Sequence, residues 1–390
     1  MREFDAVVVG GGPAGSSCAA ELLRAGLSVA VLDKALFPRD KLCAGWIPPS
    51  TFRLIGVEPD AYPHGIREYR SLHLRVKGFP LPVPTRQYAI RRYEFDAWLL
   101  ERAGAEVFQH RVRRIESSGG EKQGGGRQLV RDSSPVGGNK PATGVGRAGG
   151  RFVIDGEFSC RYLIGAGGTG CPVGRWLRGG RHDGRPAAGE EQARPAEGEY
   201  AAPHDGSAEC DRPAERNRPA DGNLIVTMEE EFPYEVRDES CYLRFFDRGI
   251  NGYSWYFPKA DGFLTVGIGG KQRELKRQGR TIREHWEAFT AHLEKRGLVT
   301  GRRYSPAGHS YYLRGTRPLL GSDGVLLVGD AARLATVDFG EGIEPALHSG
   351  LLAARAIVNG EAYTVENVKR KSLPDILRPE RERSGDQHIH

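Results

Sequence analysis

The 390-residue chain is long enough for two to three domains, so it can bury a sizeable core without disulfide or metal staples. Its hydrophobic content of 39% and charged content of 27% are typical of globular proteins, and no apolar run reaches the roughly 18 residues of a spanning helix. The six cysteines are scattered without a CxxC pair, which argues against zinc, iron–sulfur and disulfide frameworks. We therefore expect a cytoplasmic protein with no metal site.

The net charge of +6 is mild. Because the chain shows neither a basic stripe with interleaved aromatics nor a nucleic-acid-binding module, we do not expect nucleic acid as a partner. The densest basic stretch is 271–283, where six Lys or Arg residues accompany a single acid, Glu274. We interpret it as a solvated helix face, and contact with an anionic membrane surface or a phosphorylated ligand is the alternative.

The first 33 residues predict one βαβ unit. Residues 6–9 and 28–32 predict two strands whose apolar runs, at 6–9 and 29–32, are those of a parallel sheet that is covered on both faces. Residues 16–24 between them predict a helix that Gly26 ends.

Two later segments differ sharply in composition from the rest. Residues 117–150 contain eleven glycines, and residues 178–222 contain no Leu, Ile, Val, Met, Phe or Trp. Neither segment buries enough apolar area to offset the cost of ordering its backbone, about 1–2 kcal/mol per residue. We expect both to be disordered or loosely held insertions.

The remaining segments predict ordered structure. Residues 223–270 are rich in β-branched and aromatic side chains and predict a β-rich layer. Thr281 and Glu284 form a capping-box pattern, after which apolar side chains follow at helical spacing. Residues 325–328 predict a buried strand, and residues 342–358 predict a helix.

A glycine motif carries the first functional signal. Residues 10–15 read Gly-Gly-Gly-Pro-Ala-Gly directly after the first strand and at the start of the first helix, which satisfies GxGxxG. In such a motif Gly10 permits the turn, Gly12 lets backbone approach a pyrophosphate and Gly15 lets helix and strand pack closely. Asp33 ends the second strand at the spacing of a carboxylate that binds ribose hydroxyls. The pattern predicts dinucleotide binding, with Ala14 also at the cofactor.

A second glycine-acid site lies some three hundred residues later. Gly329 and Asp330 follow the strand at 325–328, and residues 339–343 (Phe-Gly-Glu-Gly-Ile) precede the last helix. The pair of sites resembles the two fingerprints of the p-hydroxybenzoate hydroxylase-like FAD enzymes. By that resemblance FAD is the cofactor, Asp330 binds its ribityl chain, and Gly340, Gly342 and Ile343 meet the flavin.

Three further motifs narrow the resemblance to the geranylgeranyl reductase-like flavoproteins. Residues 38–45 resemble that family's PRxKxCxG signature, residues 92–96 (Arg-Tyr-Glu-Phe-Asp) resemble its RxxFD element, and residues 253–258 with 267–269 resemble its YxWxFP…GxG motif. The resemblance implies that Arg39, Ala44 and Arg92 lie at the cofactor and that Cys43 is a catalytic candidate. It also implies that Tyr253, Trp255 and Phe257, which alternate along one strand face, wall a substrate slot.

We therefore expect an α/β protein, with a Rossmann-like FAD-binding domain built on a parallel sheet and a β-rich substrate domain. The FAD-binding domain is predicted to comprise 1–50, 85–116, 151–177 and 315–360, the substrate domain 51–84 and 223–314, and a C-terminal tail 361–390.

The implied activity is reduction of carbon–carbon double bonds in a polyprenyl group, with hydride from reduced flavin and a proton from Cys43 or water. The partner is then an apolar isoprenoid or prenyl lipid, with peripheral membrane contact as a further option. NAD(P)H and ferredoxin both remain open as electron donors. The alternatives are an FAD-dependent monooxygenase, hydroxylase or halogenase of the same superfamily, and a flavin-binding protein without turnover.

Two departures from the family pattern, and two structural alternatives, stay open at this point. Gly167 stands where many relatives have Asp, and Arg333 stands where the family usually has a small residue, so Arg333 could crowd or tune the flavin. Cys43 could equally be a small buried hydrophobe, and the three aromatic residues could simply be core.

Overall fold

The computed structural model describes residues 1–118, 150–179, 223–316 and 318–377. The two predicted insertions lie outside these residues except at their ends. In chain order, the elements are β1 (Arg2–Val9), α1 (Pro13–Arg24), β2 (Val29–Asp33), β3 (Trp46–Ile47), α2 (Ser50–Leu54), β4 (Ile66–Val76), β5 (Phe79–Ile90), α3 (Arg92–Ala103), β6 (Glu106–Gln109), β7 (Ile115–Ser118), β8 (Arg151–Ile154), β9 (Phe158–Gly165), α4 (Pro172–Leu177), β10 (Leu224–Pro233), β11 (Cys241–Phe245), β12 (Gly252–Pro258), β13 (Phe263–Lys271), α5 (Gln272–Arg277), α6 (Ile282–Lys295), β14 (Ala307–Tyr312), β15 (Gly321–Ser322), β16 (Val325–Leu327), α7 (Ile343–Asn359) and α8 (Leu373–Leu377).

The first sheet has the order β15-β16-β9-β1-β2-β6, and its strands from β16 to β6 run parallel. The predicted apolar runs at residues 6–9 and 29–32 are buried in it. Alternate residues of β1 contribute to different apolar clusters, because the sheet is covered on both faces. The predicted α/β class and parallel sheet are confirmed.

The second sheet has the order β14-β10-β13-β12-β11-β4-β5-β3 and is antiparallel except between β11 and β4. Helix α6 packs on one face of it through Trp286, Phe289 and Leu293. The predicted capping box begins that helix, since the Thr281 hydroxyl accepts from the Glu284 amide at 3.3 Å and the Glu284 carboxylate accepts from the Thr281 amide at 2.7 Å.

Two segments that we assigned to the cofactor domain instead extend the second sheet. Strand β3 pairs with residues 88 and 89, and β5 continues across the domain boundary that we predicted after residue 84, as far as Ile90. The three prolines at positions 80, 82 and 84 obscured this strand in the sequence, because proline cannot donate a ladder hydrogen bond. They are accommodated because along this stretch β5 pairs with β4 alone.

The segment from 361 to 377 departs from the predicted tail, because it packs against the body of the protein. Val365 and Val368 are buried in the core of the first sheet. The buried Arg314 guanidinium donates to the carbonyl oxygens of Val365, at 2.7 Å, and Val368. The polar composition of the segment was therefore misleading, because it is held both by its two buried valines and by backbone carbonyls that accept from Arg314.

Within the ranges given above, no helix combines the length and the apolar character needed to cross a membrane.

Candidate functional site

A cavity of about 720 Å³ lies between the carboxyl ends of the parallel strands and one face of the second sheet. Ligands of open α/β sheets bind at this edge. Of the residues predicted at the cofactor, those that line the cavity are Gly10, Gly12, Ala14, Asp33, Arg39, Ala44, Arg92, Asp330, Gly340, Gly342 and Ile343. Cys43, Tyr253, Trp255 and Phe257 line it as well. The structure thus brings the separate sequence motifs to one place.

The first glycine loop has the geometry that its sequence predicts. Gly10 has a φ of +116°, in the region that favours glycine. A side chain at Gly15 would place its Cβ 1.9 Å from the Gly10 carbonyl oxygen, so this glycine allows close packing and does not itself line the cavity. At Gly12 the nearest atom to such a Cβ is an Arg39 nitrogen at 3.5 Å, which leaves the backbone accessible from the cavity.

Asp33 fixes this loop from the end of β2. Its Oδ2 accepts from the Gly11 amide at 2.8 Å, and its Oδ1 accepts from the Ala35 amide at 2.9 Å. Each carboxylate oxygen keeps a further lone pair, so the same side chain can also accept from a ribose hydroxyl.

Helices α1 and α7 both begin at the cavity and pack against each other. A Cβ at Gly350 would lie 2.3 Å from the Ala14 carbonyl oxygen, so only glycine allows this approach. The Ser17 hydroxyl donates to the Leu347 carbonyl at 3.0 Å across the same contact. Two helix N-termini, each carrying free N–H groups and partial positive charge, therefore face one volume.

Asp330 and the second glycine segment lie where α7 begins. Asp330 is buried, and burial raises the pKa of its carboxyl group, while Lys41 and Arg92 oppose that rise. A Cβ at Gly342 would lie 3.4 Å from Asp330 Oδ1, so the two are adjacent. The Gly329 amide donates to the buried Ser349 hydroxyl at 2.9 Å and thereby fixes the turn.

Arginines from two motifs share one buried carboxylate. Arg92 binds Asp96 through two contacts of 2.6 and 2.8 Å, and Arg39 approaches the same carboxylate at 3.3 Å. Cys43 is half-buried beside Arg92, and together with Asp96 it raises the pKa of that arginine against the opposing effect of burial. The RxxFD element thus positions the PRxKxCxG loop at the cavity.

The predicted aromatic residues form one side of the cavity, and all three face it. Trp255 is 5% exposed, and Phe257 stacks on Trp46 with ring centroids 4.8 Å apart. The Trp255 indole Nε1 is buried, and within the described residues it has no hydrogen-bond partner. Since these side chains belong to a packed apolar cluster and also line the cavity, the core and substrate interpretations both hold in part.

The strand register explains why the GxG motif has glycine at positions 267 and 269. Trp255 lies opposite Gly267, and Gly267 lies opposite Glu229, so these three are neighbours on adjacent strands. Tyr253, Gly269 and Thr227 form the same arrangement two residues along. The glycines therefore lie between an aromatic side and a polar side of one cavity.

Our sequence analysis missed that polar side. Glu229 is 3% exposed, and burial raises the pKa of its carboxyl group to about 7, against the effects of Lys259 and Lys41. Burial and Lys41 lower the pKa of His309 to about 3, so its neutral ring accepts from the Lys41 ammonium at 2.9 Å. Side chains alternate between the two faces along β10 and β14, and this alternation places Glu229 and His309 toward the cavity. In the sequence, the three consecutive glutamates at 229–231 concealed the alternation.

The two departures from the family pattern lie in different places. Gly167 lines the cavity in the turn after β9. Arg333 does not line it, and its guanidinium instead lies over the Tyr312 ring, 4.0 Å from the centroid. The expectation that Arg333 crowds the flavin is therefore not supported by its position.

The residues present fit a bound FAD. The open backbone at Gly12 and the two helix N-termini suit a pyrophosphate, and Arg39 and Lys41 add positive charge beside them. Thr169 adds a buried hydroxyl that has no partner among the described residues and belongs to the cavity wall. The cavity then continues to the aromatic side, as a long cofactor with an adjoining substrate requires.

Comparison with known proteins agrees with this geometry. Residues 5–75 match the family model described as FAD dependent oxidoreductase. The match identifies an FAD-dependent oxidoreductase domain in this part of the chain. The chain is 27% identical over 362 residues to digeranylgeranylglycerophospholipid reductase 1 of Methanopyrus kandleri, covering 91% of this chain and 80% of that protein. It is 26% identical over 372 residues to menaquinone reductase of Mycobacterium tuberculosis, covering 90% and 76%.

Solved structures share the fold of this chain. A geranylgeranyl bacteriochlorophyll reductase-like protein from Thermoplasma acidophilum superposes with a TM-score of 0.63 at 20% identity, covering 97% of this chain and 82% of that one. A flavin-dependent brominase gives a TM-score of 0.60 at 17% identity, covering 93% and 81%. The predicted resemblance to geranylgeranyl reductase-like flavoproteins and the FAD cofactor are confirmed.

Proposed function

We propose that this oxidoreductase reduces carbon–carbon double bonds in the polyprenyl part of a lipid. The observation that carries the proposal is the continuity of one cavity from both glycine loops to the aromatic side formed by Tyr253, Trp255 and Phe257. The names of two relatives, which are reductases of digeranylgeranylglycerophospholipid, support a polyprenyl substrate.

Each half of the cofactor has its own group of residues. Gly10, Gly12 and Asp33 would hold the adenine-side half, and Asp330 with Gly340, Gly342 and Ile343 would hold the flavin end. When bound and reduced, FAD supplies the hydride. The contribution of the protein is to orient the substrate and to hold a proton.

The aromatic side excludes water and orients an apolar chain. Trp255 and Phe257 are almost fully buried, so a prenyl group that contacts them leaves water as well. The Trp255 Nε1 donor adds one polar contact to this side, because it is buried without a partner in the described part of the chain. A substrate acceptor atom there would satisfy it.

Two side chains are candidates to hold the proton that reaches the substrate carbon. Cys43 lines the cavity beside Arg92, as the family resemblance implies. Glu229 lines the opposite side, and its pKa of about 7 leaves it partly protonated near neutral pH. We favour Glu229, because a group that is half protonated can release a proton and regain it within one turnover.

The proposal extends to a membrane-derived substrate and contact with a membrane surface. Phe79, at the start of β5, is 77% exposed, Leu81 in the same strand is also exposed, and Lys77 lies in the turn before them. Exposed apolar side chains beside a cation are typical of a site that contacts an anionic bilayer. Co-flotation with anionic vesicles, lost in Phe79→Ser, tests this part separately.

The decisive experiment is anaerobic turnover. Purified holoenzyme is photoreduced without oxygen and mixed with geranylgeranylated lipids, while flavin reoxidation and product mass are followed. Reoxidation with a mass gain of two hydrogens per reduced bond supports the proposal. Turnover only with oxygen would favour the monooxygenase or halogenase alternative, with which the fold of the brominase agrees. No reoxidation under either condition, with any lipid, would favour a flavin-binding protein without turnover.

A further inference from the structure

A second cavity, of about 480 Å³, lies on the opposite face of the β-rich sheet, beneath α6. Its volume is within the range of small-molecule sites. Along β12 the side chains divide between the two cavities, because Tyr253 and Trp255 line the first while Ser254 and Tyr256 line the second. The two cavities are therefore separated by the thickness of one sheet.

Two rows of residues that pair across adjacent strands form the sheet side of this second cavity. One row is Pro82, His73, Tyr242 and Tyr256, and the other is Pro80, Arg75, Arg244 and Ser254. From α6 and the turn after it, Phe289, His292, Leu293, Arg296 and Leu298 close the opposite side.

Positive charge is concentrated here. Arg75 and Arg244 lie side by side on adjacent strands, an arrangement that is unfavourable without an anion between the two guanidinium groups. Arg244 binds Asp247 at 2.8 Å, whereas neither Arg75 nor Arg296 forms an ion pair within the described ranges. Burial and these three arginines lower the pKa of His292 to about 4, so its neutral ring accepts from Arg244.

Two buried polar atoms at this cavity also have no partner within the described residues. The first is the hydroxyl oxygen of Ser254, a residue that is 3% exposed. The second is Nε of Arg244, in the same cross-strand row. Burying a donor without a partner is unfavourable, and an anion in the cavity would accept from both groups.

The rest of the side chains that line this cavity are apolar and come from α6 and the turn after it, namely Phe289, Leu293 and Leu298. We propose that this second cavity binds a single-chain amphiphile with an anionic phosphate or carboxylate head. The head lies between Arg75, Arg244 and Arg296 and accepts from Ser254, and the chain lies along the apolar side chains beneath α6. This site is independent of the proposed reaction, since the intervening sheet separates it from the flavin cavity.

The test uses FAD-loaded full-length protein and dodecyl phosphate below its micelle concentration, with binding measured by isothermal titration calorimetry. Dodecanoate replaces the phosphate head by a carboxylate, dodecanol removes the charge, and inorganic phosphate removes the chain. We expect an anionic amphiphile to bind at least about tenfold more tightly than dodecanol or inorganic phosphate, because head and chain both contribute. Whichever of dodecyl phosphate and dodecanoate binds more tightly identifies the head group as a phosphate or a carboxylate.

Variants locate the binding. Arg75→Gln with Arg296→Gln should weaken it by about tenfold or more, since charge-assisted hydrogen bonds are lost, and Ser254→Ala should weaken it without altering the fold. The charge-matched control combines Arg273→Gln and Arg303→Gln, which are exposed and outside the cavity, and it should bind like wild type. Equal loss in the control, or loss in Trp255→Phe with no effect in the arginine and serine variants, would overturn the proposal.

Discussion

The indole of Trp255 lies across Gly267 so closely that a Cβ on the glycine would come within 2.1 Å of the indole Cζ2. Glu229 lies opposite the same glycine on the next strand. The missing side chain at position 267 therefore lets an aromatic group and a buried carboxylate approach each other across three strands. Position 267 controls the shape of the cavity although its own backbone carries no reactive group.

Replacing Gly267 by alanine should displace Trp255. We expect Gly267→Ala to lower the free energy of unfolding by about 1–3 kcal/mol, as overpacking does, and to slow substrate-driven flavin reoxidation. Gly308→Ala is the matched control on β14, because its Cβ would meet only the Thr227 carbonyl oxygen at 3.7 Å. Chemical denaturation of both variants checks the prediction, which fails if the two are equally stable.

Two substitutions of Trp255 separate its apolar and polar contributions. Trp255→Phe keeps an aromatic ring but removes the unpartnered Nε1 donor, so substrate affinity should fall only if a substrate atom accepts from that nitrogen. Trp255→Ala should weaken prenyl binding and also reduce stability by about 3–5 kcal/mol, because the residue is part of a packed cluster. Melting temperature, flavin content and reoxidation rate are measured on each. Unchanged reoxidation in Trp255→Ala would return this residue to a purely structural role.

Asp330→Ala should weaken FAD retention by about 1–3 kcal/mol, the cost of a lost buried hydrogen bond. The melting temperature of the cofactor-free protein should not fall in parallel, because burial already disfavours the charged carboxylate. Asp60→Ala removes an equal charge at an exposed site outside the cavity. The dissociation constant of FAD, from fluorescence titration, distinguishes the variants, and equal constants would contradict the assignment of Asp330.

Glu229 makes stability and activity depend on pH. Its folded-state pKa of about 7 lies above its ordinary value of 4.5, so the folded protein binds the proton more tightly than the unfolded chain. The stabilisation is complete below pH 4.5 and is lost as pH rises through 7. Glu229→Gln should therefore gain stability relative to wild type across that interval, by roughly 3 kcal/mol at its upper end.

The same substitution tests the role of Glu229 in the reaction. If Glu229 supplies the proton, wild-type turnover should decline above about pH 7 and Glu229→Gln should lose most activity at every pH. Cys43→Ser provides the comparison. A pH profile that changes in Cys43→Ser but not in Glu229→Gln would assign the proton to the thiol instead.

Lys369 connects the C-terminal segment to the start of α7. Its ammonium contacts Glu341 at 2.9 Å, Glu344 at 2.7 Å and Asp375 at 3.2 Å. Lys369→Gln leaves the buried Glu341 uncompensated, so we expect a loss of about 3–5 kcal/mol in stability and weaker FAD binding. Lys371→Gln, at an exposed neighbour, should change neither. Differential scanning calorimetry and FAD titration provide the measurements.

Local patterns predicted much of the fold and most of the cavity. The GxGxxG loop, the capping box at Thr281 and the apolar strand at 325–327 depend on neighbouring residues, and each forms as expected. The alternation of Tyr253, Trp255 and Phe257 also predicted one shared face, because strand geometry fixes it.

What the sequence did not reveal depends on partners far away in the chain. Our sequence analysis singled out neither Glu229 nor Glu231, although Lys259 binds Glu231 at 2.8 Å and Arg91 binds its other carboxylate oxygen at 2.8 Å. No local sequence pattern reveals charge compensation between residues that are so far apart in the chain. The anchoring of residues 365–369 by Arg314 was hidden for a similar reason, because the acceptors are backbone carbonyls that every sequence contains.

The contact of Gly350 with Ala14 also has a consequence for the order of biosynthesis. The first glycine loop leaves the ribosome early, but α1 acquires its packing partner α7 only when nearly the whole chain has been made. Strand β16, which joins the parallel sheet beside β9, is also a late product. The N-terminal βαβ unit therefore lacks these packing partners until α7 and β16 have been made, and we expect stable FAD binding only after that point.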